Sequence, residues 1–300
     1  MAEPFRCGFV AILGRPNVGK STLLNRLIGQ KVSITSQRAQ TTRHRILGVH
    51  NLPLAQVVYV DTPGVHRNDS GRELNRMMNR AARSSLEGVD VVVLVLAANG
   101  WDEKDQPALD MARGAQCPVV LAINKIDRLE DRGKLLPLID DLRTRHGFAE
   151  IIPVSARSGD NVENLEQVIL KYLPEQPPHF EADQITDRSE RFLAAEFVRE
   201  QVFRSFGQEV PYAATVEIET FREEPKHIHI DAVIWVEKEG QKAILIGKGG
   251  AQLKEIGRRA RLEMQKAFGR KVWLGLWVKV REGWADDLRA LRSLGYGEEG

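Results

Sequence analysis

Residues 14–21 read Gly14-Arg-Pro-Asn-Val-Gly-Lys-Ser21 and fit the pattern G-x-x-x-x-G-K-[S/T]. The segment follows an apolar run, residues 8–13, that predicts a strand, and it opens a predicted helix at residues 20–28. Glycines let backbone N–H groups wrap around phosphates, and the helix N-terminus adds partial positive charge. The pattern therefore predicts a phosphate-binding loop in which Lys20 reaches the β- and γ-phosphates and the Ser21 hydroxyl binds Mg²⁺.

The sequence around this loop alternates short apolar runs with amphipathic stretches from residue 5 to about residue 173. Such alternation is typical of a doubly wound, mostly parallel sheet with helices on both faces. Strands are predicted at residues 8–13, 45–49, 54–60, 91–97, 119–123 and 151–154. Helices are predicted at residues 20–28, 72–86, 104–113, 134–146 and 162–172. Asn161 is the predicted N-cap of the last helix.

A proline-rich segment, 174–178, interrupts this pattern, and the order of elements changes after it. We predict a first domain at residues 1–173, a linker at 174–186 and a second domain at 187–300. In the second domain the pattern predicts a smaller α+β fold. Its predicted elements are a helix at 190–206, strands at 213–221 and 227–236, a helix at 250–268, a strand at 272–280 and a helix at 284–294.

Length and composition agree with two ordinary globular domains. The chain has 300 residues, of which 42% are hydrophobic and 28% charged, and its formal net charge is +2. The two cysteines, Cys7 and Cys117, support neither a disulfide framework nor a zinc site, so a reducing, cytoplasmic location is expected. No secretory segment or membrane span is predicted, and membrane contact is therefore expected to be peripheral.

Three further motifs stand at the ends of predicted strands. Asp61-Thr-Pro-Gly64 can hold Mg²⁺ through Asp61 and offer the Gly64 N–H to a γ-phosphate oxygen. In Asn124-Lys-Ile-Asp127 the carboxylate can accept the N1–H and N2–H donors of guanine, which adenine lacks. Ser155-Ala156 can donate a backbone N–H to the guanine O6. Each motif alone is also compatible with an ordinary surface turn.

In this order and spacing the motifs resemble those of the translation-factor-related class of P-loop GTPases. Residues 34–36 followed by Gln40-Thr-Thr-Arg43 resemble the first switch segment of the Era GTPases. The resemblance implies that Thr42 binds Mg²⁺ together with Ser21 and Asp61. The predicted GTP-binding residues are Gly14, Asn17, Val18, Gly19, Lys20, Ser21, Thr22, Asp61, Gly64, Asn124, Lys125, Asp127, Ser155 and Ala156.

Catalysis is assigned by the same resemblance to Lys20, Thr42, Gly64 and Asn17. Val65 follows Gly64 where Ras-like GTPases have a water-orienting Gln, so no side chain there can orient water. Asn17 resembles the Asn with which some GTPases use K⁺ as an additional activating ion. The alternative interpretation is that Asn17 only shapes the loop.

Charge is unevenly distributed along the second domain. Residues 175–240 contain 7 basic and 15 acidic residues, a net −8, and residues 241–281 contain 11 basic and 2 acidic, a net +9. Within the basic segment, Gly247-Lys-Gly-Gly250 precedes a predicted helix, which together with the order of elements resembles a type II KH domain. The predicted RNA-binding residues are Gly247, Lys248, Gly249, Gly250, Lys254, Arg258 and Arg261. The alternative is a solvated helix face. Trp273 and Trp277 are predicted to pack within a strand rather than to stack on bases.

One GTPase domain followed by one KH domain resembles the Era family over essentially the whole chain. The resemblance implies a monomeric bacterial factor that hydrolyses GTP with Mg²⁺, binds 16S ribosomal RNA near its 3′ end, and acts in assembly of the small ribosomal subunit. It also implies peripheral contact with the cytoplasmic membrane. Two alternatives stay open: a signalling or cell-cycle GTPase that binds protein or anionic lipid, and a nucleotide-gated RNA-binding module with vestigial hydrolysis.

Overall fold

The computed structural model describes residues 4–64, 72–207, 209–294 and 296. Contacts divide the chain into two compact units. The first unit comprises Met1–Ser33, Thr42–Asp69 and Met78–Asp187, and the second comprises Ile34–Thr41, Ser70–Met77 and Arg188–Gly300. Two stretches from the first half of the sequence therefore pack with the second unit. Val65 lies outside the described residues.

The first unit is built on a six-stranded sheet in the order β2-β3-β1-β4-β5-β6. All neighbouring strands pair in parallel except β2 and β3, which are antiparallel. The strands are β1 (Arg6–Leu13), β2 (Ile46–Leu52), β3 (Ala55–Asp61), β4 (Val91–Ala97), β5 (Val119–Asn124) and β6 (Glu150–Val154). The predicted doubly wound, mostly parallel sheet is confirmed. Because β3 and β4 flank β1 on opposite sides, the loop after β1 lies at the point where the strand order reverses.

Helices cover both faces of this sheet, and each face has its own cluster of buried hydrophobic residues. They are α1 (Lys20–Ile28), α2 (Glu73–Ser84), α3 (Gln106–Arg113), α4 (Leu135–Arg143) and α5 (Val162–Tyr172). Asn161 is the N-cap residue of α5, as predicted, but its side chain makes no capping hydrogen bond. Asn161 has φ +59°, and its side-chain amide donates instead to the Pro153 carbonyl over 2.8 Å.

The segment after α5, predicted as a linker, is bonded along the first unit. The Cys7 N–H donates to the Pro174 carbonyl over 3.1 Å, and the Gln176 side chain donates to the Cys7 carbonyl over 2.9 Å. Further along, the Val49 N–H donates to the Ile185 carbonyl over 2.9 Å. These bonds satisfy backbone groups that an extended linker would leave to water. The segment is thereby ordered up to the start of the second unit.

The second unit has an α+β fold, as predicted. Its sheet has the order β7-β8-β9, in which β7 and β8 are antiparallel and β8 and β9 are parallel. Its elements are α6 (Glu190–Ser205), α7 (Val210–Ala213), β7 (Thr215–Glu223), β8 (His227–Val236), α8 (Glu239–Ile246), α9 (Ala251–Phe268), β9 (Lys271–Val280) and α10 (Leu288–Ser293). The helices α6 and α9 share the main core of this unit with one face of the sheet.

Helix α8 is absent from the sequence-based prediction. It has only eight residues, contains Gly240 in its first turn and ends in an apolar Ala-Ile-Leu-Ile run that a strand could equally contain. Its buried residues are Gln241 and Leu245, four positions apart on one helix face. Helix α8 therefore precedes the Gly247–Gly250 loop, which connects two helices. Within the described residues, no helix is long and apolar enough to cross a membrane.

Candidate nucleotide site and nucleic-acid interface

The phosphate-binding loop has the backbone that its glycines predict. Gly14 has φ +149° and Gly19 has φ +107°, in the region where a side chain is strained. A Cβ at Gly19 would lie 2.3 Å from Asn124 Nδ2, so only glycine fits there. Lys20 is buried in the first turn of α1, and its ammonium group donates to the carbonyls of Gly14 at 3.0 Å and Arg15 at 3.2 Å.

Burial changes the acid–base properties of this loop. Desolvation lowers the pKa of Lys20 to about 8, and the charge of Asp61 opposes that shift. Burial likewise raises the pKa of Asp61, against the effect of Lys20 and of three hydroxyl donors. A phosphate beside Lys20 and a divalent cation beside Asp61 would each favour the charged form. The site is therefore suited to a metal-bound polyphosphate.

The three predicted metal ligands lie together. Ser21 Oγ donates to Asp61 Oδ2 over 2.7 Å, and Ser21 Oγ and Thr42 Oγ1 are 2.9 Å apart. Asp61 Oδ1 is fully buried without a hydrogen-bond partner among the described residues. A cluster of one carboxylate and hydroxyl oxygens is the hard donor set that Mg²⁺ prefers, with water completing its shell. The residues present fit Mg²⁺.

The predicted base-reading residues also converge. Asn124 donates to the Val18 carbonyl over 2.8 Å and accepts from the Ala156 N–H over 2.9 Å, which ties the phosphate loop to the turn after β6. Ser155 Oγ donates to Asp127 Oδ1 over 2.7 Å. The Lys125 ammonium donates to the Asn17 carbonyl. Side chains from three loops are thus fixed around one edge of the sheet.

Thr22 and Gly64 are two further residues predicted to bind GTP. Thr22 follows Ser21 in the first turn of α1. Gly64 lies against the phosphate loop, where a Cβ would come within 2.8 Å of Pro16 Cγ. A backbone N–H can approach a phosphate in that space, and a side chain cannot enter it without displacing Pro16.

Residues outside the sequence motifs hold these groups in place. Ser33 is buried and donates to Asp61 Oδ2 over 2.8 Å, and the Asn25 side chain accepts from the Ser33 N–H over 3.0 Å. Arg26 donates to the carbonyls of Ala156 at 3.3 Å and Arg157, which fixes the turn after β6. None of these residues belongs to a motif. The only sequence signal is that Asn25 and Arg26 lie on the helix that the phosphate loop opens.

The segment Ile34–Thr41, predicted as part of a switch, is anchored on α6 in the second unit. Glu200 is fully buried and accepts from the Thr35 N–H over 2.9 Å. Arg199 is also buried; it pairs with Glu196 and donates to the Thr41 carbonyl over 2.6 Å. Charge-assisted bonds in a buried setting are strong and directional. They hold the residue that immediately precedes Thr42 in the chain.

The Gly247–Gly250 loop has the strained backbone of a glycine turn. Gly247, Gly249 and Gly250 have φ values of +70°, +61° and +78°. A Cβ at Gly247 would lie 2.6 Å from Gln252 Cγ, whereas Gly249 and Gly250 have nothing within 4 Å of that position. Lys248 and Gly249 are exposed. The loop therefore presents a cation and open backbone to solvent.

A cleft of about 980 Å³ runs beside this loop. Helix α9 contributes Lys254, Arg258 and Arg261, all exposed, and β9 contributes Trp273 and Leu274. The predicted RNA-binding side chains from α9 therefore share one cleft, in which Gly250 is also a lining residue. The lining combines apolar and basic side chains with the carboxylates of Asp231 and Glu255, and its exposed cations suit a single-stranded nucleic acid.

Two basic side chains of α9 are paired with an acidic residue. Arg258 donates to Glu255 over 2.8 Å, and Arg259 donates to the same carboxylate over 2.6 Å. These hydrogen bonds lower the pKa of Glu255 to about 2, so Glu255 is ionised at neutral pH. The predicted contribution of Arg258 to phosphate binding is therefore partly offset by Glu255.

The prediction that two tryptophans of β9 pack within the strand is wrong. Trp273 is 63% exposed and Trp277 is 48% exposed. The two residues lie on the sheet face opposite the buried Val272 and Val278. Alternation in the sequence correctly indicated a strand, but tryptophan occupies its solvent-facing positions.

Both parts of the chain resemble known proteins. The model of a family described as 50S ribosome-binding GTPase matches residues 9–125, and a KH domain model matches residues 209–285. The chain is 57% identical over 293 residues to GTPase Era of Stenotrophomonas maltophilia, covering 98% of each chain. It is 56% identical over 295 residues to GTPase Era of Xanthomonas oryzae pv. oryzae, again covering 98% of each.

The chain belongs to the Era family of GTPases. A point variant of Aquifex aeolicus Era bound to GDP and AlF4⁻ matches it with a TM-score of 0.94 at 43% identity, covering 97% of this chain and 99% of that one. Era in complex with MgGDPNP and nucleotides 1506–1542 of 16S ribosomal RNA matches with the same TM-score, identity and coverage. The predicted Era-like architecture, a GTPase domain followed by a KH domain, is confirmed.

Proposed function

We propose that this Era-family GTPase binds Mg²⁺ and GTP with the residues of the first unit, hydrolyses GTP slowly, and binds 16S ribosomal RNA near its 3′ end through the cleft of the second unit. Assembly of the small ribosomal subunit is the process in which we expect it to act. The observation that carries the proposal is the presence on one chain of a buried oxygen cluster next to Lys20 and an exposed Gly-x-x-Gly loop beside a basic cleft.

In the nucleotide site each side chain has a separate role. Lys20 neutralises charge on the β- and γ-phosphates, and the Gly64 N–H stabilises a γ-phosphate oxygen. Ser21, Thr42 and Asp61 would hold Mg²⁺, whose bound charge offsets that of the phosphates. Backbone N–H groups of residues 14–19 surround the phosphates. The protein mainly positions and stabilises charge, because phosphoryl transfer requires little covalent chemistry from it.

Guanine specificity is assigned to the turn after β5. The Asp127 carboxylate accepts the N1–H and N2–H of guanine, while Ser155, which donates to Asp127 over 2.7 Å, holds that carboxylate in place. The N–H groups of Ser155 and Ala156 donate to the Asp160 carbonyl and to Asn124 Oδ1, so the proposed contact with O6 requires guanine to displace one of these bonds. Adenine would leave the carboxylate without its donors, which disfavours adenine strongly.

A K⁺ ion bound through Asn17 is the proposed additional activator. Asn17 is exposed in the phosphate loop with φ +65°, and its carbonyl accepts from Lys125. Exposure of Asn17 supports access of a cation to its side chain, and a cation there would offset charge between the β- and γ-phosphates. If K⁺ acts here, wild-type hydrolysis is faster in K⁺ than in Na⁺, and Asn17→Ala removes the difference. Equal rates in both salts would exclude this role.

The ribosomal RNA partner is proposed from two supports. One solved relative at 43% identity is described in complex with nucleotides 1506–1542 of 16S ribosomal RNA. In this chain the cleft is lined by exposed Lys254 and Arg261, and the adjacent loop presents Lys248. Phosphate contact by these cations and close passage of the RNA backbone over Gly249 follow from that arrangement.

Cellular location and assembly state are also part of the proposal. Both cysteines are free, which suits a reducing cytoplasm. The exposed basic residues of segment 241–281 can also attract anionic lipid, and we propose peripheral rather than integral membrane contact. Sedimentation with anionic vesicles, in the presence and absence of RNA, tests whether lipid and RNA compete for this basic surface.

The monomer is the proposed oligomeric state.

The RNA partner is tested by crosslinking the full chain to cellular RNA and sequencing the protected fragments. Reads enriched at the 3′ end of small-subunit ribosomal RNA are expected. Enrichment elsewhere, or none above a non-crosslinked control, would contradict the proposed partner. Single-turnover hydrolysis of GTP on the same preparation separates an active GTPase from a module with vestigial hydrolysis.

A further inference from the structure

The edge strand of the second unit carries an exposed aromatic side chain that its fold does not require. Val272 and Val278 of β9 are buried in the core, so the face of the strand that carries them packs against the rest of the unit. Trp273 lies on the other face of the strand. Trp273 leaves 63% of its surface to solvent. A tryptophan placed in this way gives the fold little burial and offers a large flat surface to a ligand.

Trp273 lies in the cleft, whereas Trp277 does not line it. The cleft also contains Lys254, Arg258 and Arg261 from α9. Trp273 lines the cleft from the face of β9 opposite α9, so a strand of nucleic acid held by these cations reaches its ring by passing over the edge of β9. The position of Trp273 thus connects the proposed RNA path with an aromatic surface.

The neighbours of Trp273 suit a nucleotide. Arg222 on β7, His229 on β8 and Trp273 on β9 are paired in register, so they share one face of the sheet. The His227 ring lies 5.3 Å from the Trp273 ring, centroid to centroid, tilted by 37°. An aromatic plane beside cationic and imidazole groups can stack on a base and attract the adjoining phosphate.

Gly275 keeps this surface continuous along the strand. A Cβ there would lie 2.6 Å from Asp231 Oδ1 and 2.7 Å from Trp277 Cη2, so the Trp277 ring reaches back over the glycine. The absence of a side chain at residue 275 therefore makes room for the Trp277 ring, which together with Asp231 occupies the space over the glycine. A base can stack on Trp273 only from a side that this ring leaves open.

We propose that Trp273 is a base-stacking residue, on which one base of the single-stranded RNA in the cleft lies. The inference rests on the proposed RNA-binding function and adds to it a contact that depends on a base rather than on phosphate charge. Stacking on an aromatic side chain tolerates any base, because every base has a π face. Trp273 therefore contributes affinity, while sequence preference must come from other groups in the cleft.

The test measures the affinity of the full chain for a 3′-terminal fragment of small-subunit ribosomal RNA at several salt concentrations. Trp273→Ala should weaken binding by about tenfold or more, the size expected for one lost stack, and Trp273→Phe should stay within about threefold of wild type. Trp277→Ala is the matched control and should change affinity by less than about twofold. The slope of log affinity against log salt should be unchanged in Trp273→Ala, because no phosphate contact is lost.

A second arm replaces single nucleotides of the RNA by abasic residues. One position should cost the wild type as much as Trp273→Ala does, and the variant should lose nothing further there. Equal affinities of wild type and Trp273→Ala, equal losses in Trp273→Ala and Trp277→Ala, or no rescue by Trp273→Phe would overturn the inference. If RNA binding depends on the Gly247–Gly250 loop but not on Trp273, the proposed function stands and this inference falls. If the wild type binds no RNA, both fall.

Discussion

The nucleotide site and the cleft of the second unit use positive charge in opposite ways. In the first, Lys20 is buried and Asp61 fully so, and their atoms are fixed by bonds to the surrounding loops. In the second, Lys248 and Lys254 extend into solvent from a loop and a helix. A ligand of fixed shape, such as Mg²⁺-bound triphosphate, suits a rigid buried site. A long polymer suits an exposed surface that it can follow.

Because of this difference in burial, binding at the two sites should respond differently to salt and pH. Salt screens exposed charges strongly and buried charges weakly. Nucleotide binding should therefore depend on individual side chains and on pH, and RNA binding on salt and on total local charge. The predictions below test this contrast, beginning with the largest expected effect.

Removing a polar group that contacts the phosphates or Mg²⁺ should have the largest effect. We expect Lys20→Ala and Ser21→Ala each to slow GTP hydrolysis by about 10²- to 10³-fold or more, because each removes charge stabilisation that no water can replace in the same geometry. Single-turnover hydrolysis measures the effect, with circular dichroism as the control for folding. Wild-type turnover in folded Lys20→Ala would show that the loop does not bind the reacting phosphates.

Changing the base-reading carboxylate should alter specificity more than fold. Asp127→Asn replaces one acceptor oxygen by a donor that faces the guanine N–H groups, and GTP affinity should fall by about 10²-fold. Xanthosine triphosphate, which has a carbonyl oxygen in place of the guanine N2 amino group, should bind the variant better than GTP does. Competition binding measures both. If the variant kept full preference for GTP, another residue would read the base.

The lowered pKa of Lys20 predicts a smaller, pH-dependent effect. Nucleotide phosphates favour the protonated amine, so its pKa rises in the complex, whereas in the free protein it is about 8. Affinity for GDP should therefore be complete below pH 8 and fall above it, by about tenfold between pH 7 and pH 9. Lys20→Met should bind more weakly and lack this loss. The comparison cancels titration of the guanine base, and parallel profiles would exclude Lys20 as the titrating group.

The motifs predicted much of the nucleotide site because they encode local backbone requirements. The positive φ of Gly19 and the position of Lys20 at the start of α1 are local features that a short pattern captures. The supporting residues could not be predicted in this way. Ser33 reaches Asp61 and Arg26 reaches Ala156 only after the chain has folded, across separations of 28 and 130 positions.

In the second unit the order of strands and the glycine loop were predictable, but exposure was not. Alternation along β9 assigns residues to two faces, yet it does not say which face the helices cover. The sequence pattern therefore predicts an interior position for Trp273, whereas most of its side chain is exposed to solvent in the structure. Helix α8 was missed because eight residues with Gly240 carry too weak a helical pattern. The anchoring of Ile34–Thr41 on α6 depends on a buried Arg199–Glu196 pair that no local pattern indicates.

The most direct test of the contrast between the sites is one pair of variants with equal charge changes. Lys248→Asp with Gly249→Asp lowers the charge of segment 241–281 from +9 to +6 at the exposed loop. Lys238→Asp with Gly240→Asp makes the same change at exposed positions around the start of α8, where acidic residues suit the helix N-terminus.

The measurement is the affinity of both variants for 3′-terminal small-subunit ribosomal RNA over a range of salt, and for Mg²⁺-GDP. We expect the loop variant to lose most RNA affinity and its salt slope to flatten by about 0.7 for each lost phosphate contact. The control variant should keep most RNA affinity, and both variants should bind GDP as the wild type does. If both variants lost RNA affinity equally, the effect would come from net charge and not from a specific contact of the loop. If the loop variant lost GDP binding, the two sites would not be separate.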